Sequence, residues 1–525
     1  MTTAPIPYIR WLTLFALVSL LLVVAPEPAD SVAVTAFCRA HKLTTPGARG
    51  QDLGDFAPGV QARSAEDTYL RVIARRPRDP QPWRGLGDLY VAQGRLDDAR
   101  QAYDQALARG DSAALDQSLA QLYALLDDEQ QSSRHWTAYL ARRPDDRAAR
   151  LALAQSAIRQ ADWERARAEL ERLVVDGDPT DLLAHAWLGL LLVAPEPLAA
   201  SPHLQRAAQD PNLAALLAPV FDAERLSAAS DDPAYRSALL GMAFLANSPA
   251  PQNSTQLEAK TTAMLALRSL SAATQHNPAY ADAYAYMGQA LGQLGQAAWA
   301  RAMLDHALRL APQSPVVLTL AGLYWDRHGE PALARQHYQA ANEQDPDNPA
   351  LCLEIAATFA AEGEYTAAEV WLLHAVEQGP DDPQAWEALA HFYLDTGIDV
   401  KESGLAAAAR WLELAPQDAR AHDLMGWAYF LAQKDEQAQA SLSQAQSLAP
   451  TLASAHYHLG RLYARQGHYA AAALAYRQAA FDDVGGELAA QLERAWSDLP
   501  PAYRDNGGEN ADQENERTED ATTHE

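Results

Sequence analysis

The chain has 525 residues, 48% of them hydrophobic, with a net charge of −27 and a sequence pI of about 4.9. That charge argues against nucleic acid as a partner, because phosphate binding needs clustered Lys and Arg, and its main effect is solubility. Two cysteines, Cys38 and Cys352, exclude a disulfide framework and a four-thiolate metal site.

Residues 1–28 read as a membrane-targeting segment: Trp11–Ala25 carries no charge, Arg10 precedes it, and Pro26, Glu27 and Pro28 follow. A span of about fifteen apolar residues is long for a secretory signal core and shorter than the roughly twenty needed to cross a bilayer, so a cleaved signal and a retained anchor both remain open. Arg10 favours a cytoplasmic N-terminus with the rest of the chain exported, either anchored to the cell membrane or secreted after cleavage. Cys38 lies beyond the apolar core and follows Phe37, which argues against a lipoprotein. Residues 29–65, rich in Ala, Thr, Gly, Pro and Asp, read as a linker.

Residues 66–179 begin a helical repeat pattern. Pro77 closes a helix, and Trp83, Gly87, Tyr90, Ala99, Tyr103 and Ala106 follow. Ala120, Tyr123, Trp136 and Pro144 mark a second unit, and Leu153, Ala154, Ala166 and Leu170 a third. Over 180–277 the register is lost, and prolines at 195, 197, 202, 211, 219, 233, 249 and 251 are expected to cut the chain into short helical pieces. Gly189 and Gly241 still mark degenerate repeats, and the longest loop, Asn247–Ser254, is expected to break the array into two blocks.

Residues 278–484 are regular. Prolines at 278, 312, 346, 380, 416 and 450 recur every 34 residues with one interval of 36. Ten positions after each stands a small residue (Gly288, Gly322, Ala356, Ala390, Gly426, Gly460), and three further on a larger one (Leu291, Trp325, Phe359, Tyr393, Tyr429, Tyr463). Alanines at 300, 334, 368, 438 and 472, and again at 307, 341, 375, 445 and 479, form two further columns. The fourth unit departs, with Gly404 and Trp411 in place of alanines and two extra residues in Asp395–Gly404, which predicts less regular packing. Period, small-residue columns and closing proline resemble the tetratricopeptide repeat (TPR) family. The resemblance implies an all-α fold, a right-handed superhelical α-solenoid of helix-turn-helix repeats, of the kind found in membrane-targeted proteins of the bacterial envelope. Residues 485–501, with Leu488, Leu492, Ala495 and Trp496 at helical spacing, read as the solvating cap of such an array. Residues 502–525 carry eight acidic side chains against two arginines and almost nothing apolar, the composition of a disordered solubilising tail.

Catalytic signatures are missing: there is no G-x-x-x-x-G-K-S/T phosphate loop, no H-E-x-x-H and no G-x-S-x-G. Gly288, Gly292 and Gly295 lie in a helix and turn of the array, not after a strand. His456 and His458 are two apart on a helix and face different ways, which argues against a metal pair, and Asp381 and Asp382 follow a proline where they cap the next helix. Cys352 occupies the fourth position of its first helix, beside Tyr284, Leu318, Trp386, His422 and His456 in the other units, and reads as core. No catalytic, cofactor or metal residue is assigned.

By resemblance, positions 2, 5, 9, 12 and 13 of each first helix line a concave groove. Carried over, these give Asp423, Trp427, Phe430 and Leu431 in the fifth unit and Tyr457, Arg461 and Arg465 in the sixth. An apolar groove rimmed by arginines suits a peptide or an amphipathic helix of a protein partner, although Trp427 and Phe430 also suit packing on the cap or a neighbouring unit. The Lys/Asn pattern by which some TPR domains clamp a chaperone C-terminus is matched by none of the pairs Ala285/Gln289, Thr319/Leu323, Leu353/Ala357, Glu387/His391, Asp423/Trp427 or Tyr457/Arg461. The sequence therefore predicts a non-catalytic scaffold for protein–protein interaction at or outside the cytoplasmic membrane, held there by residues 11–25 if they are retained. The alternative is an enzyme or accessory subunit with a site in 180–277, where His185, His203, Asp222 and Glu224 stand scattered.

Overall fold

The computed structural model describes residues 58–504 apart from 111, 176–180, 229, 247–255, 484–485 and 487. The targeting segment, most of the linker, the loop after residue 246 and the acidic tail from 505 lie outside the described residues. Every regular element described is helical. In chain order they are α1 (Pro58–Arg75), α2 (Pro80–Ala92), α3 (Leu96–Leu107), α4 (Ala113–Leu125), α5 (Glu129–Arg142), α6 (Arg147–Arg159) and α7 (Trp163–Val175). Next come α8 (Leu182–Leu192), α9 (Pro197–Ala207), α10 (Pro211–Ser227), α11 (Pro233–Ala246), α12 (Gln256–His276), α13 (Ala281–Gln293) and α14 (Ala297–Leu310). The series continues with α15 (Pro315–Arg327), α16 (Pro331–Gln344), α17 (Pro349–Ala361), α18 (Tyr365–Gln378), α19 (Pro383–Thr396) and α20 (Leu405–Leu414). It ends with α21 (Ala419–Leu431), α22 (Asp435–Leu448), α23 (Ala453–Arg465), α24 (Tyr469–Asp482), α25 (Ala489–Ser497) and α26 (Pro501–Arg504). Among the described residues no helix is long and apolar enough to cross a membrane. The chain divides into two compact units, one of residues 100–365 and one that groups 366 onward with the residues up to 99.

Several helices begin on a side-chain cap. Asp79, Asp146, Asp210, Ser314, Asn348, Asp382 and Asp418 each accept a hydrogen bond from a backbone N–H of the following helix. Of the two aspartates expected to cap α19, only Asp382 does so; Asp381 pairs with Arg410 at 2.9 Å. Proline at the first helical position follows several caps, where its missing N–H costs nothing. A second device recurs at the fourth position. Trp386 Nε1 donates to the carbonyl of Pro380 at 2.9 Å, and Nε2 of His422 and of His456 lies 3.1 Å from the Pro416 carbonyl and 3.0 Å from the Pro450 carbonyl. Ring nitrogens thus cover carbonyls of the turn between units. Cys352, at the same position, is fully buried, and burial pushes its thiol up to about 11, so it stays protonated at neutral pH.

Helices pair in sequence, α13 on α14, α15 on α16, α21 on α22 and α23 on α24. The small residue of the first helix sets how close they come. A Cβ on Gly288 would sit 2.7 Å from Leu304 Cγ, one on Gly322 2.6 Å from Tyr338 Cδ1 and one on Gly426 2.6 Å from Leu442 Cγ. All ten alanines of the two columns are fully buried.

The irregular stretches differ from expectation in instructive ways. Pro202 and Pro219 lie inside α9 and α10, which continue through them, and α10 and α11 have 17 and 14 residues rather than being short pieces. Each proline deprives a carbonyl four residues back, on Leu198 or Ala215, and both of those residues are exposed, so water can replace the lost donor. Gly189 against Leu204 and Gly241 against Leu270 repeat the close approach of the regular units. The expected break at Asn247–Ser254 does not interrupt the first unit's core, which runs from Ala154 to Leu323. Its continuity comes from α12, which packs on α11, on α13 and back on α6. There Arg159, paired with Glu129, donates to Thr261 Oγ1 at 2.9 Å, and Lys260 pairs with Asp127.

In the fourth of the six regular units, which lies in the second compact unit, the two extra residues become one π-helical turn, Val400–Gly404, and α20 shortens to 10 residues. Gly397 at φ +73° and Asp399, whose carboxylate accepts from Ser403 N, shape the entry, and Trp411 is fully buried where the other units place alanine. The cap is shorter than predicted: α25 buries Leu492 and Ala495 against Tyr457, Ala473 and Tyr476, and Arg477 lies over the Trp496 ring at 5.4 Å.

Because Tyr338 is fully buried and cannot swing away, Gly322→Ala should cost about 1–3 kcal/mol of stability by overpacking. Denaturant melts of the full chain read this; a variant as stable as the wild type would show that α15 and α16 can separate freely.

Candidate functional site

Units of 34 to 36 residues bring the same helix position of successive first helices side by side, so α19, α21 and α23 share one face. On α19, Glu387 is half-buried, and burial raises its carboxyl while Arg420, 3.1 Å away on α21, opposes the rise. His391 lies 3.5 Å from Asp395; burial works against its protonation, but Asp395, Glu387 and Asp423 together raise its pKa.

The predicted cluster assembles on α21 and α23. Trp427 stacks on Phe430 (centroids 4.8 Å, planes 10° apart) and on His458 (4.4 Å, 16°), so both faces of the indole are covered. Its ring lies 6.5 Å from that of Tyr457. Asp423 accepts from His458 Nδ1 at 2.7 Å, a pairing whose proton position follows the tautomer. Arg461 donates to Tyr457 Oη at 3.0 Å, and Arg465 lies 3.6 Å above the Phe430 ring, donates to the Phe430 carbonyl at 2.7 Å and pairs with Asp435.

Exposure sorts these seven residues. Asp423, Phe430 and Tyr457 are 4%, 7% and 6% exposed, so they form the floor of the face and not its handles. Trp427 and Leu431 are half-buried, with Phe430 packed against the next unit through Leu459 and Leu462. Arg461, Arg465 and the edge of Trp427 are what the face offers to another molecule. Sequence reasoning missed His458, which completes the stack. Its signal was its place beside the fifth position, 35 residues after Asp423.

Elsewhere, His185 and His203 do not stand apart as expected. Leu204 packs on Gly189, which brings α9 onto α8 and the two Nδ1 atoms to 2.8 Å. One nitrogen must donate and the other accept, so the pair cannot be doubly protonated. Burial lowers the His203 pKa, His185 pushes the same way, and Glu171 opposes them. Asp222 pairs with Arg225 on its own helix, while Glu224 is raised by burial. Among the described residues no group of three or more His, Cys, Asp or Glu side chains could hold a metal ion. The arrangement offers ring edges, guanidinium donors and a hydrogen-bonded floor, which is the chemistry of binding.

Models of the tetratricopeptide repeat match residues 61–114, 119–181, 151–214, 287–349, 327–392 and 453–480, together more than half of the chain. The chain belongs to the tetratricopeptide repeat family, whose members generally mediate protein–protein interactions. No curated protein matches it. Solved structures similar to it include yeast Tom70, at 15% identity over 79% of this chain and 95% of that one, with a TM-score of 0.38. Others are the APC/C hetero-tetramer Cut9-Hcn1, at 13% identity over 92% and 98% with a TM-score of 0.36, and YrrB, a TPR protein with an unusual peptide-binding site, at 21% over 38% and 99% with a TM-score of 0.31.

Burial of His203 gives a pH dependence. A His pKa lowered on folding contributes stability that is complete above the unfolded value, about 6.5, and is lost as pH falls through 6.5 toward the folded value. Melting temperatures measured between pH 8 and pH 5 should therefore fall less steeply below pH 6.5 for His203→Gln than for the wild type. Parallel curves would mean that His203 is no harder to protonate in the folded chain than in the unfolded one.

Proposed function

We propose that the chain is a non-catalytic scaffold that binds segments of other proteins on the face shared by α19, α21 and α23, at or outside the cytoplasmic membrane. The observation that carries this reading is the wedged indole of Trp427 with Arg461 and Arg465 beside it. Trp, Tyr and Arg are the side chains that most often anchor interfaces, and here packing fixes Trp427 in one orientation, so little side-chain entropy is lost on binding. Mixed charge around it, with Glu387, Asp395 and Asp423 beside Arg420, His391 and His458, suits a polar rim that selects partners by complementarity. Support for the location is the uncharged stretch Trp11–Ala25 behind Arg10.

Cross-linking in the native organism followed by mass spectrometry should recover partners linked to residues of α19, α21 and α23; recovery of the chain alone would count heavily against a scaffold. With a partner in hand, Trp427→Ala should weaken binding about thirtyfold, or roughly 2 kcal/mol. Its stability cost should stay below the roughly 3–5 kcal/mol of a fully buried aromatic, since the ring is half-buried. A lowered melting temperature with unchanged affinity would remove Trp427 from the interface.

For location, a reporter fused after Pro501 should be active only in a form that works outside the cytoplasm, and activity of a cytoplasm-only reporter there would overturn the orientation. N-terminal sequencing separates the two modes: a start near Val34 or Phe37 means a cleaved signal, and retention of Trp11 means an anchor.

A further inference from the structure

Helix α23 carries two guanidinium groups and no carboxylate. Arg465 is occupied by Asp435 and the Phe430 carbonyl. Arg461 is not: its hydrogen bond goes to the Tyr457 hydroxyl, and among the described residues no carboxylate pairs with it. Of its five N–H donors, the others are left for another acceptor. The Trp427 ring lies 6.5 Å from the Tyr457 ring, and the Arg461 guanidinium carbon 6.0 Å from it. Both faces of the indole are covered, yet its N–H has no acceptor among the described residues. The face thus holds two donors, one of them charged, that an acidic side chain would satisfy.

The chain itself tethers an acidic segment within reach of this place. In α26, Tyr503 packs on Tyr469 with centroids 5.6 Å apart, and Tyr469 opens α24 directly after α23. The eight residues from Arg461 to Tyr469 span at most about 28 Å, whereas the 21 residues from 505 to 525 span up to about 70 Å when extended. Those 21 residues hold eight carboxylates and one arginine, Arg517. Tethering a segment beside its site gives an effective concentration on the order of millimolar, so weak contacts suffice for occupancy.

We propose that residues 505–525 dock in cis on the α21–α23 face, with acidic side chains on the Arg461 guanidinium and the Trp427 indole N–H, and that the segment thereby competes with acidic stretches of partner proteins. The inference rests on the reading of this face as a protein-binding surface. Its selectivity follows: a partner segment must outcompete the tethered one, so isolated weak acidic stretches are rejected.

The test uses a fluorescein-labelled peptide of residues 505–525 and the full chain in two forms, wild type and one in which every Asp and Glu of 505–525 is changed to Asn or Gln. The neutralised chain should bind the peptide at least tenfold more tightly than the wild type, whose own segment occupies the face, and added salt should weaken binding. In the neutralised background, Arg461→Gln and Trp427→Phe should each weaken it fivefold or more while the melting temperature holds; Trp427→Phe keeps an aromatic ring in the stack and removes only the donor. Absence of binding to the neutralised chain, equal binding by both forms, or indifference to both substitutions overturns the proposal. A cross-linked partner that binds α21 and α23 equally well in both forms would sink the docking of the segment while leaving the face as a protein-binding surface.

Discussion

The structure depends on one steric constraint, the approach of two helices at a residue without a bulky side chain. At Gly288, Gly322 and Gly426 the space that a Cβ would need is already filled by Leu304, Tyr338 and Leu442 from the paired helix. The fully buried alanines at 300 and 307, and at their equivalents in later units, continue that close approach along the second helix. With the pair held this tightly, the large residues between the small ones have one place to go, and each unit buries its face on the next. The same contact survives at Gly189 and Gly241, where proline spacing and register have drifted. The helix pair, not the 34-residue count, is therefore what is preserved through the irregular region.

Much of this was legible in the sequence because steric columns leave a mark at fixed spacing. The alanine columns, Cys352 as core and the cap helix were all readable from residue size and period alone. What was not legible turned on contacts between positions of different register. A proline in a sequence reads as a break, yet Pro202 and Pro219 sit where the deprived carbonyls face water. The packing of α12 back on α6, through Arg159, Thr261 and Lys260, joins residues more than a hundred apart and leaves no periodic trace. At the candidate site the helix positions were readable, because a repeat fixes which residues share a face. Burial was legible in part: packing of Phe430 on a neighbouring unit was one of the two readings open, whereas burial of Tyr457 against the cap and the entry of His458 into the stack were not read.

On the proposed reading, the face of α19, α21 and α23 gains its specificity from the rim around Trp427. Its floor is satisfied internally, through Asp423 with His458 and Glu387 with Arg420. Charges held in this way cost little to bring near another chain, since they are already partly desolvated and paired. What remains unsatisfied is small in number and directional, and direction is what discriminates between partners of similar hydrophobicity.

The ring nitrogens at the fourth position give the array a mechanical property. Trp386, His422 and His456 each clip a side chain onto the carbonyl of the proline six residues earlier, bracing the elbow that joins one unit to the next. At the equivalent elbow of the second regular unit, Leu318 has no polar atom to offer. Under tension a braced elbow resists bending, whereas an unbraced one yields through the soft dihedrals beside its proline. A residue able to hydrogen-bond at this one position thus braces its joint, and the joints nearest Trp427 are braced ones.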